Sequence, residues 1–180
     1  MRISDEQSRG RRVVFSVYDW VGTAVVALVV FSLLLAYVFR VVVVDGDSML
    51  PTLTNGDRLL LSTADTFYEY GDIVVIDRYT DEPLIKRVIA VGGDTVKITD
   101  KGAVFVNGVE LNEPYIQGQT VLFDFDGEVR VPDNALFVLG DNRSISKDSR
   151  KAEIGFISIK DVAGKAVFCV WPLQSFGKLN

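Results

Sequence analysis

The stretch from Trp20 to Phe39, WVGTAVVALVVFSLLLAYVF, contains no charged residue and is bracketed by Asp19 and Arg40. As an α-helix rising ~1.5 Å per residue it would reach ~30 Å, about one hydrocarbon thickness of a bilayer. Tyr18, Trp20, Tyr37 and Phe39 stand near its two ends, where amphipathic rings favour the membrane interface. A buried helix of a soluble protein would be shorter or carry a polar stripe. A cleaved signal peptide would have a shorter apolar region and a small-x-small exit, whereas this run leaves through the bulky Ala36-Tyr37-Val38-Phe39-Arg40. The segment is therefore expected to be a retained single anchor over residues 19–39. Arg2, Arg9, Arg11 and Arg12 precede it, which predicts that residues 1–18 stay cytoplasmic and that residues 40–180 lie on the far side of the membrane.

Beyond Arg40 the pattern changes. Apolar runs become short, rich in Val and Ile, and are punctuated by Gly-Asp or Asn-Gly. Val41–Val44 ends at Asp45-Gly46, Asn55-Gly56-Asp57 precedes Leu59–Leu61, and Gly71-Asp72 precedes Ile73–Ile76. Ile85–Val91 ends at Gly92-Gly93-Asp94, Leu136–Leu139 at Gly140-Asp141-Asn142, and Val162–Val170 at Trp171-Pro172. Gly102–Val106 and Val109–Leu111 flank Asn107-Gly108, a two-residue hairpin signal. No segment after the anchor has a long helical period. The reading is a mainly β chain, an antiparallel sandwich or barrel. The more polar stretch from about 96 to 131 reads as an inserted cap, and the tail Gln174–Asn180 as a frayed end.

Composition excludes several chemistries. The formal net charge of -5 argues against nucleic acid as a partner, since phosphate binding wants clustered Lys and Arg. The chain has no histidine, which removes Ser-His-Asp and Cys-His mechanisms. Without imidazoles, and with the single cysteine Cys169 inside an apolar run, no metal or other cofactor is expected.

Three segments carry candidate chemistry. In Gly46-Asp47-Ser48-Met49-Leu50-Pro51-Thr52-Leu53 a serine sits between Gly46 and Pro51, in a turn that can aim its hydroxyl outward. In Leu84-Ile85-Lys86-Arg87-Val88-Ile89-Ala90-Val91 two cations lie inside an apolar strand. A free lysine titrates near ~10.4; burial disfavours the ammonium, and a neutral amine can serve as general base toward a hydroxyl. The third segment, Leu139–Arg150, is a dense polar loop whose carboxylates could pair with Arg87 and Arg150. Each segment alone is compatible with ordinary structure: a turn, an edge strand with solvated charges, a surface loop.

Together they resemble type I signal peptidase. The resemblance rests on Ser48-Met49-x-Pro51-Thr52-Leu53, then Lys86-Arg87-Val88 with Gly92-Gly93-Asp94, then Gly140-Asp141-Asn142-Arg143-x-x-Ser146-x-Asp148-Ser149-Arg150, and it runs from the anchor to the last strand. It implies a coiled antiparallel β-sheet catalytic domain with a small inserted β cap. It also implies removal of N-terminal signal peptides from exported preproteins, after small-x-small sites, at the outer face of a bacterial cytoplasmic membrane. Signal peptides and membrane lipid would be the partners. Carried over by position, Ser48 is the nucleophile and Lys86 the general base. Ser146 would hold the lysine amine, Asp141 with Arg87 and Asp148 with Arg150 would form ion pairs, and Met49 would stand beside the substrate groove.

One position departs from the Gram-negative pattern, in which a serine two residues before the nucleophile contributes a hydroxyl to the oxyanion. Gly46 stands there, leaving the Ser48 amide and no side-chain donor. A lost donor can cost ~3 kcal/mol of transition-state stabilisation. The glycine, the single anchor and the short cap are similar to Gram-positive-type members. Two rival readings remain open at this level: a self-cleaving Ser–Lys regulator, and a catalytically inactive, membrane-tethered β module. The first needs a cleavable segment upstream of the serine, where this chain has its anchor. Ala163-Gly164 lies after the lysine and inside an expected strand, so it reads as structural.

Overall fold

A computed structural model describes residues 3–64, 66–77, 83–125 and 127–179. The chain divides into two compact units, residues 1–38 and 39–180.

The first unit is one helix, α1 (Ile3–Val38). Its stretch Tyr18–Val38 is long and apolar enough to cross a membrane, and none of that window is buried against protein. The helix starts far earlier than the apolar run, and it stops one residue sooner than expected. Phe39, assigned above to the anchor, is instead the first residue of a strand, where it pairs with Ser62. A β-branched run Val41-Val42-Val43 follows, which suits extended backbone better than helix.

The second unit is β throughout, and every paired strand is antiparallel. Its strands are β1 (Phe39–Val43), β2 (Arg58–Ser62), β3 (Ile73–Ile76), β4 (Leu84–Val91), β5 (Thr95–Ile98), β6 (Val104–Val106), β7 (Val109–Glu110), β8 (Glu128–Arg130), β9 (Ala135–Leu139), β10 (Ile157–Ser158), β11 (Val162–Trp171) and β12 (Gly177–Lys178). Eight form one sheet in the order β1-β2-β11-β3-β4-β9-β10, with β12 paired to β11; four form a second sheet in the order β7-β6-β5-β8. That second sheet occupies the stretch expected to form the cap. The hairpin turn at Asn107-Gly108 has both residues at positive φ, 52° and 80°, as a two-residue turn of this kind requires. The tail departs from expectation: Gly177 and Lys178 pair with Cys169 and Phe168 rather than fraying, and the Phe176 ring packs edge-on against Phe168 at 5.0 Å.

The apolar runs are continuous because alternate side chains enter different cores. In β3, Ile73 and Val75 join one cluster with Met49, Leu53, Leu59 and Leu61, while Val74 and Ile76 join another with Val88, Leu136 and Ile157. In β9, Leu136 and Val138 face this second cluster, whereas Ala135, Phe137 and Leu139 face a third, shared with Val96, Ile98 and Val104 of the four-stranded sheet. Each fully buried Leu, Ile, Val or Phe contributes roughly 1.5–3 kcal/mol relative to exposure. β4 lies between β3 and β9, well inside the sheet. The alternative of an edge strand with solvated charges therefore falls away, and Lys86 and Arg87 are almost wholly buried.

Candidate active site

Ser48 stands on a turn held from below by apolar anchors. Met49 and Leu53 are each 1% exposed, and Leu53 N–H donates to the Met49 carbonyl at 2.9 Å. The ends of the turn are tied by Val44 N–H to Asp57 O and Gly56 N–H to Val44 O. Gly46 adopts φ +84°, a conformation that side chains disfavour. Its N–H donates to Asn55 Oδ1 at 3.2 Å. Among the described residues nothing accepts from the Ser48 N–H, so that donor is available.

Lys86 reaches this turn from β4. Its Nζ lies 2.8 Å from Ser48 Oγ and 2.8 Å from the Ile85 carbonyl. Burial lowers its pKa to about 8, against an upward pull from the Asp148 and Asp141 carboxylates. With one N–H spent on Ile85 O, a neutral amine can turn its lone pair toward the serine hydroxyl.

Both carboxylates near the amine are already engaged. Asp141 takes Arg87 in a fork, Nε at 2.9 Å and Nη2 at 2.7 Å, and receives the Thr52 hydroxyl at 2.5 Å. Asp148 takes Arg150 in a second fork, both bonds 2.8 Å, and receives Gly140 N–H at 3.0 Å. Bidentate pairing of this type is strong and directional, and it holds buried charges that would otherwise be very unfavourable. It also leaves Lys86 without a directly bonded counter-ion among the described residues, which is what allows burial to dominate its titration.

The loop after β9 closes on the serine turn. Asn142 N–H donates to Ser48 O at 3.0 Å and its side-chain amide to Asp47 O at 3.1 Å. Gly140 is required by close approach: a Cβ there would fall 2.2 Å from Ser146 Oγ and 2.5 Å from Ser48 O.

The structure thus brings Ser48, Lys86, Arg87, Asp141, Asp148 and Arg150 together. One residue sits otherwise than expected. Ser146 does not hold the lysine amine; its Oγ is buried against Gly140 and has no hydrogen-bond partner among the described residues, and the Ile85 carbonyl fills that role. Met49, expected beside a substrate groove, is buried in the core next to the serine. Sequence reasoning also gave no role to Thr52, Asn142 or Arg143, although all three stand in the quoted motifs. It passed over Glu113 and Tyr115 altogether. Tyr115 lies over the Arg87 guanidinium, 4.1 Å from ring centroid to Cζ, and Glu113 pairs with Arg143. These contacts join residues far apart in the chain and leave no local signature.

Comparison with known proteins identifies the chain's relatives. The family model described as signal peptidase, peptidase S26, matches residues 17–171. Signal peptidase I S of Bacillus subtilis (strain 168) is 36% identical over 177 residues, covering 92% of this chain and 95% of that protein. Signal peptidase I of Bacillus licheniformis is 35% identical over 193 residues, covering 99% of this chain and 100% of its own. A signal peptidase I crystal structure from Enterococcus faecalis V583 is 29% identical, with a TM-score of 0.46 and coverage of 55% of this chain and 96% of that one. A match across both the helix and the β unit, at this identity, shows that the chain belongs to the signal peptidase family, peptidase S26, whose members here are type I signal peptidases.

Proposed function

We propose that this serine peptidase removes signal peptides from exported preproteins with Ser48 as nucleophile and Lys86 as general base. The observation that carries the assignment is the 2.8 Å contact between Lys86 Nζ and Ser48 Oγ inside a buried site. In acylation the neutral amine takes the hydroxyl proton while Oγ bonds to the scissile carbonyl carbon. The carbonyl oxygen becomes an oxyanion, and the free Ser48 N–H is the donor placed to receive it. The C–N bond breaks as Lys86, now an ammonium, gives its proton to the leaving amine. In deacylation the same amine takes a proton from water and hydroxide adds to the ester carbon; the C–Oγ bond then breaks as the Lys86 ammonium returns its proton to Ser48 Oγ, freeing the new carboxyl terminus. The Arg87–Asp141 and Arg150–Asp148 forks hold the two carboxylates in place, and the turn is open beside Gly46, where a Cβ would meet nothing within 4 Å. The cycle draws on these side chains, the Ser48 N–H and water.

The proposed organisation is a cytoplasmic segment over residues 1–18, a single membrane span, and a catalytic unit outside the cytoplasm with its cap at about 96–131. The arginines before the apolar run support this orientation. Protease added to intact spheroplasts should digest the β unit; protection until the membrane is broken would reverse the topology. For the chemistry, Ser48→Ala and Lys86→Ala should each reduce preprotein processing in detergent by more than ~10³-fold, as expected when one member of a cooperating pair is removed. Retention of most activity by either variant would refute the dyad.

A further inference from the structure

The cap touches the catalytic machinery along residues 113–123: Val121 O and the Phe123 ring meet Arg150, and the segment from Glu113 to Gln117 meets the neighbourhood of Arg87 and Asp141. Arg143, fully buried, donates Nη1 to Glu113 Oε2 at 2.9 Å and Nη2 to Glu113 Oε1 at 2.5 Å. Its Nε donates to Gly140 O at 3.1 Å, and Nη1 also reaches Thr120 Oγ1 at 2.9 Å. Two residues on, Tyr115 lays its ring over the Arg87 guanidinium and donates its hydroxyl to Glu113 Oε1 at 2.9 Å. The Tyr70 hydroxyl meets that hydroxyl at 3.1 Å. Gln117 then joins the loop backbone: its N–H donates to Asp141 O and its carbonyl accepts from Arg143 N–H, both at 2.8 Å. Gly118 closes tightly behind, where a Cβ would come within 2.9 Å of Ser144 Oγ.

We propose that Glu113 and Tyr115 are positioning residues for the Ser48–Lys86 reaction, and that the segment 113–117 acts as a strap setting the catalytic loop against β4. The inference rests on the reading of Ser48 and Lys86 given above. Arg87 is covalently next to Lys86, and its bidentate partner Asp141 fixes both the loop and, through Thr52, the serine turn. The Tyr115 ring closes one face of the Arg87 guanidinium, so that cation keeps one orientation. Glu113 engages both Arg143 Nη atoms, which directs this third guanidinium of the site to the cap rather than to the carboxylates around Lys86. Neither strap residue contacts Ser48 or Lys86; both act on the distance between them. In general, a displacement of about 1 Å of a reacting group can cost ~10²-fold in rate. Cap residues that only glued two sheets together would change stability and leave turnover alone.

The test compares full-length wild type, Ser48→Ala, Tyr115→Leu, Tyr115→Phe and Glu113→Gln in detergent micelles on a preprotein with a signal peptide. The readouts are kcat, KM, thermal midpoint, and the rate of Ser48 acylation by a penem. Tyr115→Leu is expected to lower kcat and the acylation rate ~10-fold or more, with KM changed by less than about threefold. Tyr115→Phe, which keeps the ring over Arg87, should restore most of the rate. Glu113→Gln, which keeps the shape and loses the charge, should fall between them and covers the case in which Tyr115→Leu does not fold. Unchanged kcat and acylation in folded Tyr115→Leu, or in Glu113→Gln if Tyr115→Leu is unfolded, would overturn the proposal, even with a lowered thermal midpoint. Failure of wild type to outpace Ser48→Ala would instead overturn the underlying assignment of the nucleophile.

Discussion

Lys86 and Arg87 are neighbours in one strand, and their environments push them apart. Burial works against the charge on both, but Arg87 has the hydrogen-bonded Asp141 carboxylate and its pKa is raised. Lys86 has no such bond, and burial lowers its pKa to about 8. A general base works in its neutral form, so kcat/KM should fall ~tenfold per pH unit below about 8 and level off above it. A pH–rate profile without an acidic limb in that region would contradict the role of Lys86. The same shift has a stability consequence with a definite sign. The native state releases the Lys86 proton near 8, while the unfolded chain keeps it to 10.5, so between those values the unfolded state binds more protons and stability rises with pH. Relative to Lys86→Met, which has no proton to lose, wild type should therefore gain ~3 kcal/mol as pH is raised through this window. Denaturant titration of both proteins at the two ends of the window measures the change, and a constant difference would show that Lys86 is not depressed. The sequence supported the dyad through what it lacked, a histidine, and through the order of its motifs. It did not reveal that the Ile85 carbonyl, rather than Ser146, would hold the amine, because a backbone acceptor has no residue type to read.

At the level of elements, legibility followed the length of the apolar run. β1, β2, β3, β4, β9 and β11 were recognisable from Val- and Ile-rich stretches ending in Gly-Asp, Asn-Gly or Pro, and the hairpin of β6 and β7 from Asn107-Gly108. β8, β10 and β12 are two or three residues each; they hold their place by pairing to longer partners, so their own sequence carries little signal. The extra helical turns before Tyr18 were missed for a different reason: a segment rich in Arg and Ser shows no apolar period, while its helix continues directly into the anchor. Glycine shows the same division between local and non-local causes. Gly164 reads as an ordinary member of a small-residue pair, but a Cβ there would stand 2.7 Å from Ser62 O on the neighbouring β2. The contact is with backbone, which cannot swing aside, and it coincides with a register shift between β11 and β3. Gly164→Ala should therefore destabilise the β unit by ~1–3 kcal/mol as over-packing does, with the catalytic contacts left in place. Urea unfolding would check this, and an unchanged midpoint would mean that β11 relaxes away from β2 without penalty.

On the scale of the whole molecule, the chain joins two units that answer to different solvents. α1 presents an apolar surface along its membrane-length stretch, whereas residues 39–180 bury their apolar side chains in three clusters of their own. The β unit's three clusters are built from its own residues, and its first strand begins at Phe39 and finds its partner in β2. A chain beginning at Phe39 should therefore fold and keep the Ser48–Lys86 contact. Tethering would then matter for encounter rather than for chemistry: fixing an enzyme to the surface that holds its substrate turns a search through solution into one within a thin layer. The two contributions separate in one experiment. On a short soluble peptide spanning a cleavage site, full-length enzyme in detergent and the residue 39–180 chain should agree in kcat/KM within about threefold, because proximity confers no advantage there. On a preprotein whose signal peptide is embedded in liposomes, the full-length enzyme, co-reconstituted in the same bilayer, should be faster by ~10²-fold or more, the range that effective concentration supplies. Equal rates on the embedded preprotein would show that the β unit finds the bilayer unaided; a large loss on the soluble peptide would show that the helix supports the active site itself.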